Sequence, residues 1–499
     1  MATMVSIDLG AQSGRVALGR FDGAALSVDE LHRFPNVPVR VSGTLHWDVL
    51  RLHDGILEGL RAAGRLAGGR VDSVGVDTWG LDFGLLDRAG RLVQNPVHHR
   101  DRRLGGSMES AFAQVPAREL YERTGIQLMQ INSVYQLRAM VDAGDPALEA
   151  AETLLMMPDL FHYWLSGVRA SEWTEATTSQ CFDPRAGGWA LDLVERLGIP
   201  PRLFAEVVPP GTVLGELQDD VAEETRLHGA LVVAPASHDT ASAVAAVPFR
   251  QAGSAYVSSG TWSLVGVEVV APVIDERTFD ANLTNEGGAG GTFRLLKNVI
   301  GLWLLHECRR TWAHDSQAFE YAELVALAEA APARRAFVDP NDPVFLPPGD
   351  MPRRIREACA RTGQEPPQEP GEVVRCVLES LALKYRQTIE LLGAATGEVP
   401  PEIHVVGGGA LNRPLCQWTA DATGLPVLAG PAEATEIGNL AVQAMALGEL
   451  GSLEEAREVV RRSFAPEVYE PADRAAWGEA YGRFTELFAG AAVLAGGRR

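Results

Sequence analysis

The stretch Ala234–Val244, A-P-A-S-H-D-T-A-S-A-V, sets His238, Asp239 and Thr240 directly behind the apolar run Leu231–Ala234. Four apolar residues read as a buried strand, and a polar triplet at its C-terminal end falls where open α/β sheets place their ligands. The small residues Ala241–Ala246 can then start a helix. A carboxylate held at such a strand-to-helix turn can take a proton from a bound hydroxyl, the work of a base in a kinase or a hydrolase. Asp239 is assigned that role. The same Asp and Thr would equally serve to cap the following helix, as these residue types often do.

Other turns carry chemistry of a different kind. Asp8-Leu9-Gly10-Ala11-Gln12-Ser13-Gly14-Arg15 is small and polar, and such a turn can lay several backbone N–H groups against a phosphate. It also reads as a plain hairpin loop. Asp77-Thr78-Trp79-Gly80, followed by Asp82, offers an aromatic wall between carboxylates, which suits a ligand with apolar C–H faces as well as hydroxyls; a core Trp between strand-end Asp residues fits equally. His98–Arg103, H-H-R-D-R-R, reads as a solvated charged face, with the two adjacent imidazoles pointing in different directions. Gly407-Gly408-Gly409 closes the β-run I-H-V-V and allows close approach of a flat or charged ligand to the backbone. No G-x-x-x-x-G-K-[ST], no protein-kinase set and no G-x-S-x-G elbow occurs. With two lysines, Lys297 and Lys384, a nucleotide must be held mainly by backbone N–H groups, hydroxyls, Arg and a metal.

The elements that position these turns are legible as periodicity. M-V-S-I-D-L-G, R-V-A-L-G-R-F-D-G and L-S-V-D-E-L-H-R-F form a three-stranded meander. A helix follows over about 48–67, with Leu50, Leu52, Ile56, Leu57 and Leu60 at near-helical spacing. Val71–Asp87 reads strand, polar turn, strand, and 104–230 reads as mostly helical, including L-L-M-M-P-D-L-F-H-Y-W-L-S-G. Ser254–Val270 then repeats the opening theme of strand, Gly/Ser/Thr turn and strand, so the chain reads as an internal duplication with a boundary near Pro248–Ala252 and domains over 1–248 and 249–499. Helix Glu372–Leu392 reads as core, and the last 50 residues as amphipathic helices ending in a G-G-R-R tail.

Composition bounds what such a protein meets. Its 499 residues exceed a single core, and 46% hydrophobic with 22% charged residues is ordinary for a globular protein. A net charge of −21 argues against nucleic acid or an anionic membrane as the main partner. The apolar runs are too short to span a bilayer and the start lacks a signal-peptide layout, so a cytoplasmic protein is expected. Five scattered cysteines, without a C-x-x-C pair, are expected as free thiols; Cys359 and Cys376, on two predicted helices joined by a Pro-rich turn, stand as the one pair that could meet.

Taken in order, D-L-G-A-Q-S-G-R, V-D-T-W-G-L-D-F, S-H-D-T-A-S-A-V, S-S-G-T-W-S-L-V-G, N-E-G-G, L-K-N-V-I-G-L-W-L-L, G-G-G-A-L-N and G-P-A-E-A-T-E-I-G-N resemble the FGGY carbohydrate kinases, across about residues 5–450. The resemblance implies an α/β fold of two ribonuclease-H-like (actin/hexokinase-like) domains flanking a cleft, the first mainly sugar-binding and the second mainly nucleotide-binding. It implies ATP-dependent, magnesium-assisted phosphorylation of a ketose, L-rhamnulose at its 1-hydroxyl before L-fuculose, xylulose or ribulose. An actin- or chaperone-like nucleotide switch would share the fold without needing the D-T-W-G and H-D-T strings. Carried over, Asp239 resembles the family's base; Ala11, Gln12, Ser13, Gly14, Arg15 and Thr261 resemble its ATP phosphate contacts, and Gly407, Gly408 and Gly409 its adenosine-side loop. Gly80, His238, Asp239, Thr240 and Asn298 resemble the sugar contacts, and Asp8 the carboxylate that organises magnesium through water. Gln12, in place of a small hydroxyl residue, and His306, in place of Gln, depart from the family's pattern.

Overall fold

Val5, Ile7 and Leu9 alternate with Ser6 and Asp8, yet all five are buried, so the Ala2–Leu9 strand is covered on both faces. It runs antiparallel to Ser13–Phe21, which pairs antiparallel with Leu26–Pro35, giving the expected meander. On its other edge it runs parallel to Ser73–Thr78, and that strand parallel to Leu231–Ala234. Thr212–Glu216 closes the six-stranded sheet antiparallel. The Val49–Leu66 helix, N-capped by Asp48, lays Leu52, Ile56, Leu60 and Ala63 against this sheet. Its Gly55 and Gly59 admit Phe34 and Val16 at distances where a methyl group would overlap them.

The computed structural model describes residues 1–489, in two compact units; the G-G-R-R tail lies outside the described residues. The first unit comprises Met1–Pro248 together with Glu268–Leu295 and Glu433–Ala465. Its sheet is covered on the face away from Val49–Leu66 by the Ala434–Ala446 helix, whose Gln443 Nε2 donates to Val5 O (3.0 Å) and accepts at Oε1 from Ser73 Oγ (2.7 Å). Within 104–230 the helical expectation needs correcting. Leu154–Met156 belong to a strand, Thr153–Met156, antiparallel to Phe83–Leu86, and the helix begins only at Met157. Pro158 fits the break, since it stands in the helix's first turn, where no N–H is needed, whereas a helix continued back through Leu154 would need a Pro158 N–H to reach the Leu154 carbonyl.

The second unit comprises Phe249–Val267, Leu296–Ala432 and Pro466 onward. Ala255–Ser259 runs antiparallel to the strand starting at Trp262 and parallel to Ile403–Val406; Val427–Ala429 continues in parallel and Glu467–Tyr469 closes the edge antiparallel. The sequence of hairpin, two parallel neighbours and an antiparallel edge repeats the first unit's plan. Helix Pro370–Thr396 is buried along most of its length, as its pattern predicts. Cys359 and Cys376 are both buried with their sulfurs 4.0 Å apart and unbonded, and all five cysteines are free thiols.

Candidate active site

Parallel pairing brings the C-terminal ends of Ala2–Leu9, Ser73–Thr78 and Leu231–Ala234 side by side. Asp8 and Asp77 are direct register partners, and Thr78 bridges to His238. The turn after the third strand is held from outside: Ser237 O accepts from Thr78 N (2.9 Å), and His238 N donates to Thr174 Oγ1 (3.1 Å). Glu172 completes the clamp, accepting at Oε2 from Ser237 N (3.1 Å) and Thr174 Oγ1 (2.5 Å) while it caps the Trp173–Thr178 helix. Asp239 then opens the Asp239–Ala245 helix. His238 occupies the cap position and no side chain caps that helix, so Asp239 is not spent on capping. Its Oδ1 accepts from Thr240 Oγ1 (3.0 Å) and lies 3.4 Å from His238 Nε2.

Several carboxylates converge here, and their exposure separates them. Asp8, Asp77, Glu172, Glu175, Glu286 and Glu436 are buried, whereas the Asp239 side chain is 30% exposed. Burial, with help from its neighbours, pushes the Asp77 carboxyl well above the ordinary value, the Asp8 charge beside it adding to the effect. Asp8 is raised by burial too, although Arg15 pulls the other way. Glu172 and Glu436 are pushed up to about 7, in both cases chiefly by burial.

The first polar turn sits over this group. Gly10 N donates to Ser13 O (3.0 Å), and Asn36 pins the loop through Gly10 O (2.9 Å) and Gln12 O (2.9 Å). Gln12 is exposed, Ala11 and Ser13 are half-buried, and Gly14 is packed against Phe34. Arg15 ion-pairs with Asp8 and, at 2.8 Å, with Glu436. Asp8 and Glu436 together outweigh the cost of burying this guanidinium, and its pKa is raised.

Magnesium finds a fitting donor set in part. Among the described residues no three His, Cys, Asp or Glu side chains are grouped to cage a metal. Asp77 Oδ1 and Glu436 Oε2 are nevertheless buried carboxylate oxygens without a hydrogen-bond partner, next to Asp8. Hard carboxylate oxygens of this kind suit a cation that keeps most of its water shell.

Gly80 is buried, and a side chain there would press on Thr178 at 3.2–3.3 Å. The next residue, Leu81, holds φ at +80°, an uncommon conformation for a side chain. Its carbonyl is bound by Ser133 Oγ (2.5 Å) and Gln136 Nε2 (3.2 Å). Asp82 faces inward rather than toward a ligand. Its Oδ2 accepts from Trp47 Nε1 (2.7 Å), Trp79 Nε1 (2.9 Å) and His99 Nδ1 (2.7 Å), and its Oδ1 from Gln136 Nε2 (3.1 Å). Burial alone would raise the Asp82 carboxyl, and His99 with the other donors holds it below the ordinary value. The solvated reading of His98–Arg103 fails at its start: His98 and His99 are buried with their rings 4.5 Å apart, and His98 stacks on Trp47 at 4.1 Å. Burial pushes His98 down to about 3. Trp47 and Gln136, which organise this cluster, carried no local signal beyond an aromatic and an amide in ordinary surroundings.

In the second unit Thr261 lies at the tip of the hairpin, where its carbonyl accepts from Gly301 N (3.1 Å) and Trp303 N (3.1 Å). Gly407 holds φ at +79°, and a Cβ on Gly409 would stand 2.0 Å from Ser259 Oγ, so one of the three glycines is demanded by backbone conformation and another by close packing. Gly408 is exposed. Asn298 is half-buried, its carbonyl held by Asn341 Nδ2 (3.1 Å). His306 is half-buried in the Trp303–His314 helix, and burial lowers its pKa. The structure thus gathers Asp8, Ala11–Arg15, Gly80 and His238–Thr240 in the first unit, and holds Thr261, Asn298 and Gly407–Gly409 in the second.

Sequence models of the FGGY family of carbohydrate kinases match both halves, the N-terminal domain over residues 3–246 and the C-terminal domain over residues 255–447. A rhamnulokinase of Bacteroides thetaiotaomicron is 43% identical over 479 residues, covering 96% of this chain and 98% of that protein. One of Oceanobacillus iheyensis is 40% identical, over 92% of this chain and 96% of its own. Among solved structures, gluconate kinase from Lactobacillus acidophilus superposes with a TM-score of 0.81 at 16% identity, covering 98% of each chain. Xylulose kinase from Rhodospirillum rubrum superposes with a TM-score of 0.79 at 22% identity, again over 98% of each. With the fold, the order of its motifs and both halves of its length in agreement, the chain belongs to the FGGY family of carbohydrate kinases.

Proposed function

We propose that the protein transfers the γ-phosphoryl group of ATP to the 1-hydroxyl of L-rhamnulose, giving L-rhamnulose 1-phosphate, in the cytoplasm. The sugar named is that of relatives alike over nearly the whole chain. The observation that carries the chemistry is the exposure of Asp239 among buried acids at the ends of three parallel strands.

Phosphoryl transfer asks the protein for positioning and charge stabilisation more than for covalent help. Asp239 accepts the proton of the attacking hydroxyl, while His238, Thr240, Gly80 and Asn298 orient the sugar. The backbone N–H groups of Ala11–Arg15, with Thr261, receive the phosphates, and Gly407–Gly409 the adenosine side. Arg15 is tied to Asp8 and Glu436, which fixes a positive charge beside the first phosphate turn. Asp8, with Asp77 and Glu436 behind it, would hold magnesium through water, and magnesium when bound neutralises charge on the phosphates. In this reading residues 1–248 supply most of the sugar site and 249–499 most of the nucleotide site.

A panel of L-rhamnulose, L-fuculose, xylulose and ribulose tests the substrate. A site that hydrogen-bonds sugar hydroxyls discriminates by orders of magnitude when one is missing or inverted. The highest kcat/KM is expected for L-rhamnulose; a higher value for another ketose assigns the enzyme to that sugar.

A further inference from the structure

Arg294 lies on the Phe293–Ile300 strand with no exposure at all. Its Nε donates to Gly287 O (2.7 Å), and its Nη2 stands 3.0 Å from His238 Nδ1. Glu286 lies alongside, its Oε2 at 3.3 Å from Arg294 Nη2 and 3.4 Å from His238 Nδ1. Across the ring, His238 Nε2 faces Asp239 Oδ1 at 3.4 Å.

A guanidinium offers five N–H donors, no acceptor, and no route to losing its charge. A proton on His238 Nδ1 would meet an Arg294 N–H head-on at 3.0 Å. Nδ1 therefore presents its lone pair and accepts, and in a neutral imidazole the proton then sits on Nε2. The opposite arrangement, Nδ1–H donating to Glu286, requires the 3.4 Å contact to prevail over the 3.0 Å one. It would also leave the Arg294 Nη2 proton that meets the ring with only the longer 3.3 Å Glu286 contact, in a core where Nη1 is already without a partner.

We propose that Arg294 is a positioning residue for phosphoryl transfer: it locks His238 in the Nε2–H tautomer, so the ring donates toward Asp239 and a sugar hydroxyl. His238 is then a donor on that side and has no free lone pair to offer the hydroxyl proton. Asp239 is left as the acceptor. The functional half of this rests on reading Asp239 as the base; the tautomer does not.

The test uses the full chain labelled with heavy nitrogen in histidine, and a long-range proton–nitrogen correlation spectrum in which the His238 signals are assigned by their loss in His238→Gln. Wild type is expected to show the Nε2–H pattern, and an Nδ1–H pattern in wild type overturns the proposal without need of any variant. Arg294→Lys keeps the charge but loses the fork, and is expected to shift His238 toward Nδ1–H with about a tenfold rise in KM for the sugar. An Arg294→Lys enzyme that folds with tautomer and KM unchanged also overturns it. If Asp239→Asn kept full turnover, the reading of the base would fail while the tautomer measurement stood, so the two failures are distinguishable.

Discussion

Glu172 shows at the level of one residue how the turn that carries Asp239 is held. It is fully buried, and its two carboxylate oxygens accept from Thr174 N (3.0 Å), Thr174 Oγ1, Glu175 N (3.2 Å) and Ser237 N. Glu172→Ala strands the Ser237 and Thr174 N–H groups and is expected to cost about 2–4 kcal/mol in urea unfolding, with a lower kcat from the loosened Asp239 turn. The same residue gives a pH dependence whose sign follows from its raised pKa. Because the folded state holds this proton up to about pH 7 and the unfolded chain releases it near pH 4.5, the contribution to stability is present below 4.5 and is lost as pH rises to 7. The loss is on the order of 3 kcal/mol. Burial raises Asp159 and Glu175 as well, so their contributions run in the same direction. Buried His98 and His162, both held down to about 3, run the other way up to about pH 6.5, so the difference between proteins isolates Glu172: between pH 5 and 8 the Tm of wild type is expected to fall relative to that of Glu172→Gln, and parallel curves would contradict this. The sequence singles out Asp239 as the proposed base but gives no such signal for Glu172, because S-E-W-T-E reads as an ordinary helix start until the turn it grips is known.

The helices Asp239–Ala245 and Ala434–Ala446 set the position of that turn, and they touch without space for one methyl group. A Cβ on Gly438 would stand 1.7 Å from Ser242 O. The Ala434–Ala446 helix cannot retreat easily, since its Asn439 Nδ2 donates to Asp77 Oδ2 (2.5 Å) and its Gln443 is bonded to Val5 and Ser73. Gly438→Ala is therefore expected to cost about 2–3 kcal/mol by denaturant titration and to lower kcat by shifting the helix that starts at Asp239. An alanine variant with wild-type stability and kcat would show that the crossing can loosen to admit a methyl group. Periodicity predicted the flanking elements well: the meander, the 48–67 helix and the 372–392 helix all lie where the pattern puts them. It could not show why E-I-G-N needs its glycine. That reason is a contact between segments about two hundred positions apart in the chain.

At the scale of the whole chain, both units repeat one strand plan, and the duplicated hairpin was visible in Ser254–Val270 because turn chemistry and alternation are local properties. The grouping of Glu268–Leu295 and Glu433–Ala465 with the first unit was not visible. Long-range packing of this kind leaves no mark on local periodicity. It has a consequence for fragments: residues 1–248 alone lack the Ala434–Ala446 helix that covers the sheet and pairs Ser73 and Asp77. Such a fragment is expected to show no cooperative thermal transition by circular dichroism, and a sharp transition would contradict this. Sugar phosphorylation with Asp239 as base is tested most directly by ADP release from ATP and magnesium, with and without L-rhamnulose, on wild type and Asp239→Asn. Sugar-dependent release in wild type, reduced by about 10²–10⁴-fold in the variant while ATP still binds, is the expected result. Release indifferent to the sugar, or undiminished in Asp239→Asn, would contradict it.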